Sequence, residues 1–297
     1  MSMEINRVGL ITLLKNKIRV YGKMIKFSHT IFALPFALSA VVMAWENHSL
    51  FLSDFFWILT AMVGARSAAM GFNRIVDADI DLKNERTAIR EIPSGLLSKK
   101  EAFFFVILSC VVFVFSAAML SRLCLILSIP VLIFLLFYSY TKRFTKYCHI
   151  YLGFAISLAP IGAWVAITGT LEWSIIFLSF SLMTYIAGFD ILYACQDIDF
   201  DQSQGLFSLP SKIGPKKAMQ ISSVLHVATF VFLFVMYLSF DMHPVFLLFL
   251  GIIGLLLIAE HKLVTPDNLK HINIAFFHVN SVISVLLFMG VLIQGFF

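Results

Sequence analysis

The sequence predicts an all-α integral membrane protein: a bundle of about nine transmembrane helices with the N-terminus cytoplasmic and the C-terminus outside. Three observations carry this. Hydrophobic residues make up 60% of the 297-residue chain and charged residues only 13%, a balance foreign to a water-facing globule. Apolar runs long enough to cross a hydrocarbon core of about 30 Å recur along the chain. The joints between them alternate between rich and poor in Lys and Arg.

The runs fall at 27–46, 54–76, 102–120, 122–140, 150–169, 173–196, 218–239, 243–260 and 273–296. Joints such as Ser121-Arg122 and Gly169-Thr170-Leu171-Glu172 suit tight helix hairpins, and no linker divides the chain, so residues 1–297 are expected to form one domain. Residues 1–26 are basic and lack a small-residue cleavage pattern, so they are expected to lie on the cytoplasmic membrane surface, the mature chain beginning near Met1. Basic residues cluster before the first run (Arg7, Lys15, Lys17, Arg19, Lys23, Lys26) and after the second (Lys83, Arg86, Arg90, Lys99, Lys100). They cluster again after the fourth (Lys142, Arg143, Lys146), the sixth (Lys212, Lys216, Lys217) and the eighth (Lys262, Lys270), Arg122 being the exception. The positive-inside rule places these joints in the cytoplasm, as in a bacterial inner membrane. The net charge of +5 is then loop charge and does not point to nucleic acid. Cys110, Cys124, Cys148 and Cys195 show no metal or CxxC spacing and read as packing residues.

Two acidic stretches break the apolar pattern. GFNRIVDADIDLKNERTAIR spaces Asn73, Asp77 and Asp81 four apart; GFDILYACQDIDFDQ spaces Asp197 and Asp201 likewise, with Asp190 seven residues earlier. On a helix such residues run along one face, where like charges destabilise a merely solvated helix. Both stretches fall at the cytoplasmic ends of their runs, about 120 residues apart, as a site between two related halves would. Facing each other, they offer hard oxygen ligands to Mg²⁺, which prefers a few carboxylates plus substrate phosphates to an all-protein cage. Arg86, Arg90, Lys142, Arg143 and Lys212 on the same side supply cations for the remaining phosphate charge. A diphosphate with a lipid tail, such as an isoprenyl diphosphate, suits such a site inside a bundle carrying 32 Phe residues.

These residues resemble the UbiA superfamily of intramembrane aromatic prenyltransferases. Asn73-x3-Asp77-x3-Asp81 resembles its first aspartate motif and Asp197-x3-Asp201 its second. Arg66 ahead of the first motif, Arg86-Thr87, Arg90 and Pro93-Ser94-Gly95 behind it, Tyr138-x3-Lys142, and Asp190-x2-Tyr193 before the second extend the likeness over nearly the whole chain. Within the family, ARSAAMGFNRIVDADID, RTAIREIPSG and GFDILYACQDIDFD look like the 4-hydroxybenzoate polyprenyltransferase branch, and equally like a branch of the futalosine route to menaquinone. The resemblance implies Mg²⁺-dependent transfer of a polyprenyl group from polyprenyl diphosphate to a carboxylated aromatic acceptor in ubiquinone or menaquinone biosynthesis. It assigns Asn73, Asp77, Asp81, Asp197 and Asp201 to Mg²⁺, and Arg86, Arg90, Lys142 and Lys212 to diphosphate. Asp190 and Tyr193 would steady the allylic cation or take the ring proton, and Arg66 with Lys26 would hold the acceptor carboxylate. His29 could also reach the site. Asp79 and Asp199 should point off the ligand face.

Competing readings remain open on the residues alone. A protoheme IX farnesyltransferase would keep the diphosphate site and change the acceptor. A cation-coupled transporter would also place acids in two related halves, with broken helices. A phospholipid head-group transferase has its own Asp-x3-Asp signature, but the Asp-Gly and Ala-Arg elements expected ahead of it are missing here. Arg66, Tyr193 and the loop cations have plainer roles available as an ion pair, an interfacial ring and topology signals.

Overall fold

The computed structural model describes residues 16–294, and the elements named in that span are helical. Arg7 and Lys15 of the basic segment lie outside the described residues. Helix α1 covers 16–24 and is followed by a 3-10 helix, Phe27–Phe32. Then come α2 (Leu34–Trp45), α3 (Leu52–Asp81), α4 (Lys99–Leu120), α5 (Arg122–Thr141), α6 (Cys148–Thr168) and α7 (Trp173–Ala194). A 3-10 turn, Cys195–Asp197, leads into α8 (Ile198–Ser203) and α9 (Leu209–Ile213). The chain continues through α10 (Pro215–Ser239), α11 (Val245–Leu263), a π-helical turn Ile274–Val279 and α12 (Asn280–Gln294).

Eight stretches are long and apolar enough to cross a membrane, α8 being counted with α7 and the π-turn with α12, so the chain is an integral, multi-pass membrane protein. The expected first run, 27–46, is the one that divides. Pro35 lacks an N–H and fits a helix only in its first turn, so α2 starts there and is only 12 residues long. At about 1.5 Å per residue that is about 18 Å, short of the hydrocarbon thickness. Upstream, Lys26 takes a left-handed φ of 50° and the chain winds as a 3-10 helix. In contrast α3 has 30 residues, about 45 Å of helix, so its last turns carry the first acidic motif beyond the apolar stretch.

Local signals set the other boundaries. Ser98 accepts the Glu101 N–H at 3.1 Å while Glu101 accepts the Ser98 N–H at 3.0 Å, a capping box that starts α4. Ser121, fully extended, caps α5 through the Cys124 N–H at 3.0 Å and turns α4 into α5 in one residue.

Helix α7 is the axis of the bundle. Of an apolar 18-residue stretch within Trp173–Ser203, 72% of the residues are buried, against 17–39% in the corresponding stretches of the other spans. It packs on α6 and α10, while α3 pairs with α4 and α2 lies against α6 and α12. Phe36, Leu178, Leu182, Tyr185, Phe246 and Leu287 form the solvent-free core between them. Helices α4 and α5 turn Phe104, Leu108, Ile129 and Ile133 outward, the surface that lipid covers. The α6–α7 contact is close because position 153 is glycine: a Cβ there would collide with the Met183 carbonyl oxygen.

A polar web crosses this core. Asn280, fully buried, donates through Nδ2 to Glu260 Oε1 at 2.9 Å and to the Ala275 and Phe276 carbonyls at 3.1 and 3.2 Å. Its own carbonyl accepts the Tyr185 hydroxyl at 2.7 Å. The clamp holds the π-turn against α7 and α11, and Leu at 280 would leave the Glu260 oxygen buried without that donor. Asn280→Leu is expected to cost about 2 kcal/mol or more, measured as thermal stability of the purified protein in detergent. An unchanged melting temperature would show that the clamp carries no stability.

Candidate active site

The ends of α3, α5 and α7 meet at one end of the bundle around a cavity of about 780 Å³. Along α3, Arg66, Met70, Asn73, Arg74 and Asp77 share its wall, the i, i+4, i+7, i+8, i+11 pattern of a single helix face. Asp190 and Tyr193 reach it from α7, Asp197 from the 3-10 turn and Asp201 from α8. Arg86 and Arg90 descend from the loop after α3, Lys142 from the joint after α5, and Lys26 and His29 from the broken segment ahead of α2.

The two acidic motifs are tied to each other through loop cations. Arg86 donates twice to Asp197, from Nη2 at 2.6 Å and from Nε at 3.1 Å, and Asn84 adds a bond to the same carboxylate at 3.4 Å. Lys83 reaches Gln204 at 3.2 Å, so the loop behind the first motif docks on the second. Asp77 is 2% exposed; it receives Asn73 at 3.0 Å and Arg143 at 3.3 Å and has the Lys142 ammonium 3.7 Å away. Behind the second motif the Phe207 N–H donates to the Lys142 carbonyl at 2.7 Å, which fixes the Lys142 loop against the segment leading into α9.

Two expected site residues do not line the cavity. Asp81 is 4% exposed and both its oxygens are taken by Arg90 Nη1 at 2.7 Å, so it anchors a lining cation instead. Lys212 sits in the last turn of α9, exposed, its ammonium 4.0 Å above the Phe207 ring and outside the cavity. Asp79 pairs with Lys99 at 2.8 Å on the exposed side of α3, and Asp199 is exposed, both off the lining face. Of the cations after α5, Arg143 joins Asp77 while Lys146 stacks on Tyr147.

Two lining or supporting groups, Arg74 and His149, were not singled out from the sequence, while Arg143, expected among the phosphate cations, takes a supporting place. Arg74, 5% exposed, follows Arg66 by eight residues on the same α3 face, a spacing that could have marked it. Arg143 braces Asp77 and also the Val76 carbonyl at 2.8 Å. His149 bonds Asp190 at 2.7 Å from 41 residues away, a contact no local spacing announces.

The cavity carries carboxylates on its motif side and unmatched cations on its other side. Arg66 donates to the Lys26 carbonyl at 3.0 Å and Arg74 to the Met24 carbonyl at 3.2 Å. Neither has a carboxylate within ion-pair distance among the described residues. Burial, and then the charges of Arg74 and Arg90, pull Lys26 below the ordinary lysine pKa. An anion entering the cavity is expected to raise it again, so binding takes up a proton where Lys26 is partly neutral, and affinity falls as pH rises through that range. Calorimetry with inorganic diphosphate over a series of pH values, in buffers of different ionisation enthalpy, measures the uptake. Lys26→Met should remove it; the same uptake in that variant would refute the assignment.

The donors facing the cavity from the motifs are oxygens, which suits a hard cation. Among the described residues no three carboxylate, imidazole or thiol groups already stand close enough to hold an ion by themselves. Asp77, Asp197 and Asp201 therefore fit Mg²⁺ bound jointly with a phosphate ligand.

Fold and site define a polytopic helical membrane protein with an internal cavity lined by both carboxylates and cations. The sequence model of the UbiA prenyltransferase family matches residues 33–282, and the chain belongs to that family. It is 27% identical over 246 residues to a 4-hydroxybenzoate octaprenyltransferase of Photobacterium profundum, covering 78% of this chain and 80% of that one. It is 32% identical over 165 residues to a polyprenyl transferase of Arthrobotrys oligospora, a match spanning 54% of this chain but only 45% of the relative. The apo structure of a UbiA homolog from Aeropyrum pernix superposes with a TM-score of 0.81 at 29% identity, covering 90% of this chain and 98% of the other. A UbiA homolog from Archaeoglobus fulgidus bound to DMAPP and Mg²⁺ shares the fold, with a TM-score of 0.71 at 18% identity over 92% of this chain and 98% of its own.

Proposed function

We propose that this protein transfers a polyprenyl group from polyprenyl diphosphate to a carboxylated aromatic acceptor, 4-hydroxybenzoate or a ring of the futalosine route, for ubiquinone or menaquinone. The observation that carries the reading is the pairing of Asp77 with Lys142 and Arg143 and of Asp197 with Arg86 across one cavity. Carboxylates and cations interleaved in this way match a diphosphate and its metal together, because each phosphate oxygen finds a cation and each metal ion an oxygen. The 4-hydroxybenzoate octaprenyltransferase relative supports the acceptor, and the DMAPP and Mg²⁺ complex of the Archaeoglobus fulgidus homolog supports the donor.

Asp77, Asp197 and Asp201 would hold the metal, with Asn73 orienting Asp77. Bound Mg²⁺ supplies the positive charge that lets diphosphate leave from an allylic carbon. Arg86, Arg90 and Lys142 bind the outer phosphate oxygens and fix the donor. Phe276, 4.1 Å from the Tyr193 ring centre, and Phe189 shape an apolar wall that excludes water from the allylic cation. Lys26, Arg66 and Arg74 hold the acceptor carboxylate on the opposite side, presenting the ring between them and Tyr193. Asp190 accepts the proton that the ring releases. The loop charges support a cytoplasmic orientation for this end of the bundle, in a bacterial inner membrane.

Membranes containing the protein, given radiolabelled long-chain prenyl diphosphate with Mg²⁺ or EDTA, test the reading when offered 4-hydroxybenzoate and, separately, futalosine-route aromatics. Mg²⁺-dependent labelling of one acceptor is the expected result and names the pathway. Absence of transfer to any aromatic acceptor overturns it.

A further inference from the structure

We propose that His149 is a positioning residue for the proton-transfer step, aiming the Asp190 carboxylate at the prenylated ring carbon. The inference rests on the aromatic-acceptor reading above. His149 opens α6 beside the Lys142 loop, its side chain 5% exposed, and its Nδ1 lies 2.7 Å from Asp190 Oδ2. The other ring nitrogen decides the proton's place. Leu209, the first residue of α9, directs its backbone N–H at His149 Nε2 at 3.3 Å, and a backbone amide can only donate. Nε2 is therefore the acceptor, Nδ1 carries the hydrogen, and a neutral imidazole donates to the carboxylate.

The consequence falls on Asp190. With Oδ2 tied to α6, the carboxylate cannot rotate freely, and Oδ1, with no hydrogen-bond partner among the described residues, is the oxygen left free on a residue that lines the cavity. Ile186, Phe189 and Leu152 line the same cavity, and His149 is the side chain that hydrogen-bonds Asp190 among the described residues. One short hydrogen bond thus both orients the group and stabilises its charge. The approach of α6 to α7 that makes the bond possible is set one turn away, where Gly153 meets the Met183 carbonyl.

In the step itself, the C–H bond at the alkylated ring carbon breaks and its electron pair restores the aromatic ring. The proton passes to Asp190 Oδ1, which makes the carboxylate the neutral acid, and His149 keeps its own proton on Nδ1, hydrogen-bonded to Oδ2, throughout. The proton leaves to water once the product has gone.

His149→Leu and His149→Gln, assayed with ordinary and ring-deuterated acceptor, test this. In the Leu variant kcat is expected to fall by about 10²-fold, the low end of what a placed acid–base group contributes. The KM for prenyl diphosphate should stay as in the wild type. Deprotonation should become rate-limiting, so that a primary deuterium isotope effect appears or grows. Gln, which offers a donor to Asp190 and an acceptor to Leu209, should recover most of the rate and lose the added isotope effect. A Leu variant with wild-type kcat overturns the proposal. So does a slow one whose isotope effect is unchanged, because His149 would then only hold the fold. Wild-type protein that prenylates no aromatic acceptor would refute the acceptor reading and this inference with it; wild-type transfer beside an insensitive Leu variant would refute the inference alone.

Discussion

Asp77→Ala and Asp197→Ala are each expected to lower kcat/KM for prenyl transfer by about 10³-fold or more, with the folded protein still in the membrane. Each carboxylate has two duties. Asp77 offers oxygens to a metal and also sets Lys142 and Arg143, which stand 3.7 and 3.3 Å from it. Asp197 does the same for Arg86, held at 2.6 Å. Alanine therefore removes a metal ligand and releases the cations that grip diphosphate, and removal of one well-placed charged partner at a reacting centre already costs about 10²–10³. Asn at either position separates the two duties: it keeps the size and a hydrogen-bonding oxygen but not the charge. Asp77→Asn should retain folding and weak diphosphate binding while losing Mg²⁺ dependence. Transfer assays beside size-exclusion profiles in detergent give both readouts. Near-normal Mg²⁺-dependent transfer by either alanine variant would mean that the two clusters do not act as the metal site.

Much of this was legible in the sequence because membrane helices advertise themselves. Eight of the runs form spans close to where hydropathy puts them, and the face of α3 that carries Asn73 and Asp77 follows from a spacing of four. Asp79, two residues from Asp77, falls on the other side of the helix and meets Lys99. Spacing alone does not say which partner each side chain meets. Asp81 shares the periodicity of Asp77, but it lies at the end of α3, where Arg90 folds back from the loop and takes both its oxygens. Lys212 shares a loop sign with Lys142, but α9 carries it outward. The break ahead of α2 was written in Pro35, a residue that a hydropathy count passes over. The His149–Asp190 pair could not be read at all, since it depends on how closely α6 approaches α7 and on an N–H of α9.

Arg66→Gln is expected to raise the KM for 4-hydroxybenzoate by about 10²-fold, ~2.7 kcal/mol at ~1.36 kcal/mol per decade, while leaving the KM for prenyl diphosphate nearly unchanged. An arginine inside a span is costly unless something anionic or a carbonyl meets it. Here Arg66 has one such contact, the Lys26 carbonyl at 3.0 Å, and its Nε is buried without a partner in the described residues. The plainer role for Arg66, an ion pair within the bundle, is not what the structure shows. Arg66, Arg74 and Lys26 instead all line the cavity that Tyr193 also lines. A carboxylate is the acceptor group that such a cationic lining selects, and the planar fork of Arg binds it through two parallel bonds. Arg66→Lys should therefore recover only part of the loss, because an ammonium restores the charge without the fork. The control is an acceptor phenol without a carboxylate: wild type should use it poorly, and Arg66→Gln should use it no worse. A protoheme-type acceptor, which this lining does not select by a ring carboxylate, should be equally indifferent to the change. If Arg66→Gln slowed transfer to the carboxylated and uncarboxylated rings alike, Arg66 would be holding Lys26 and the fold, and the acceptor would have to be held elsewhere in the cavity.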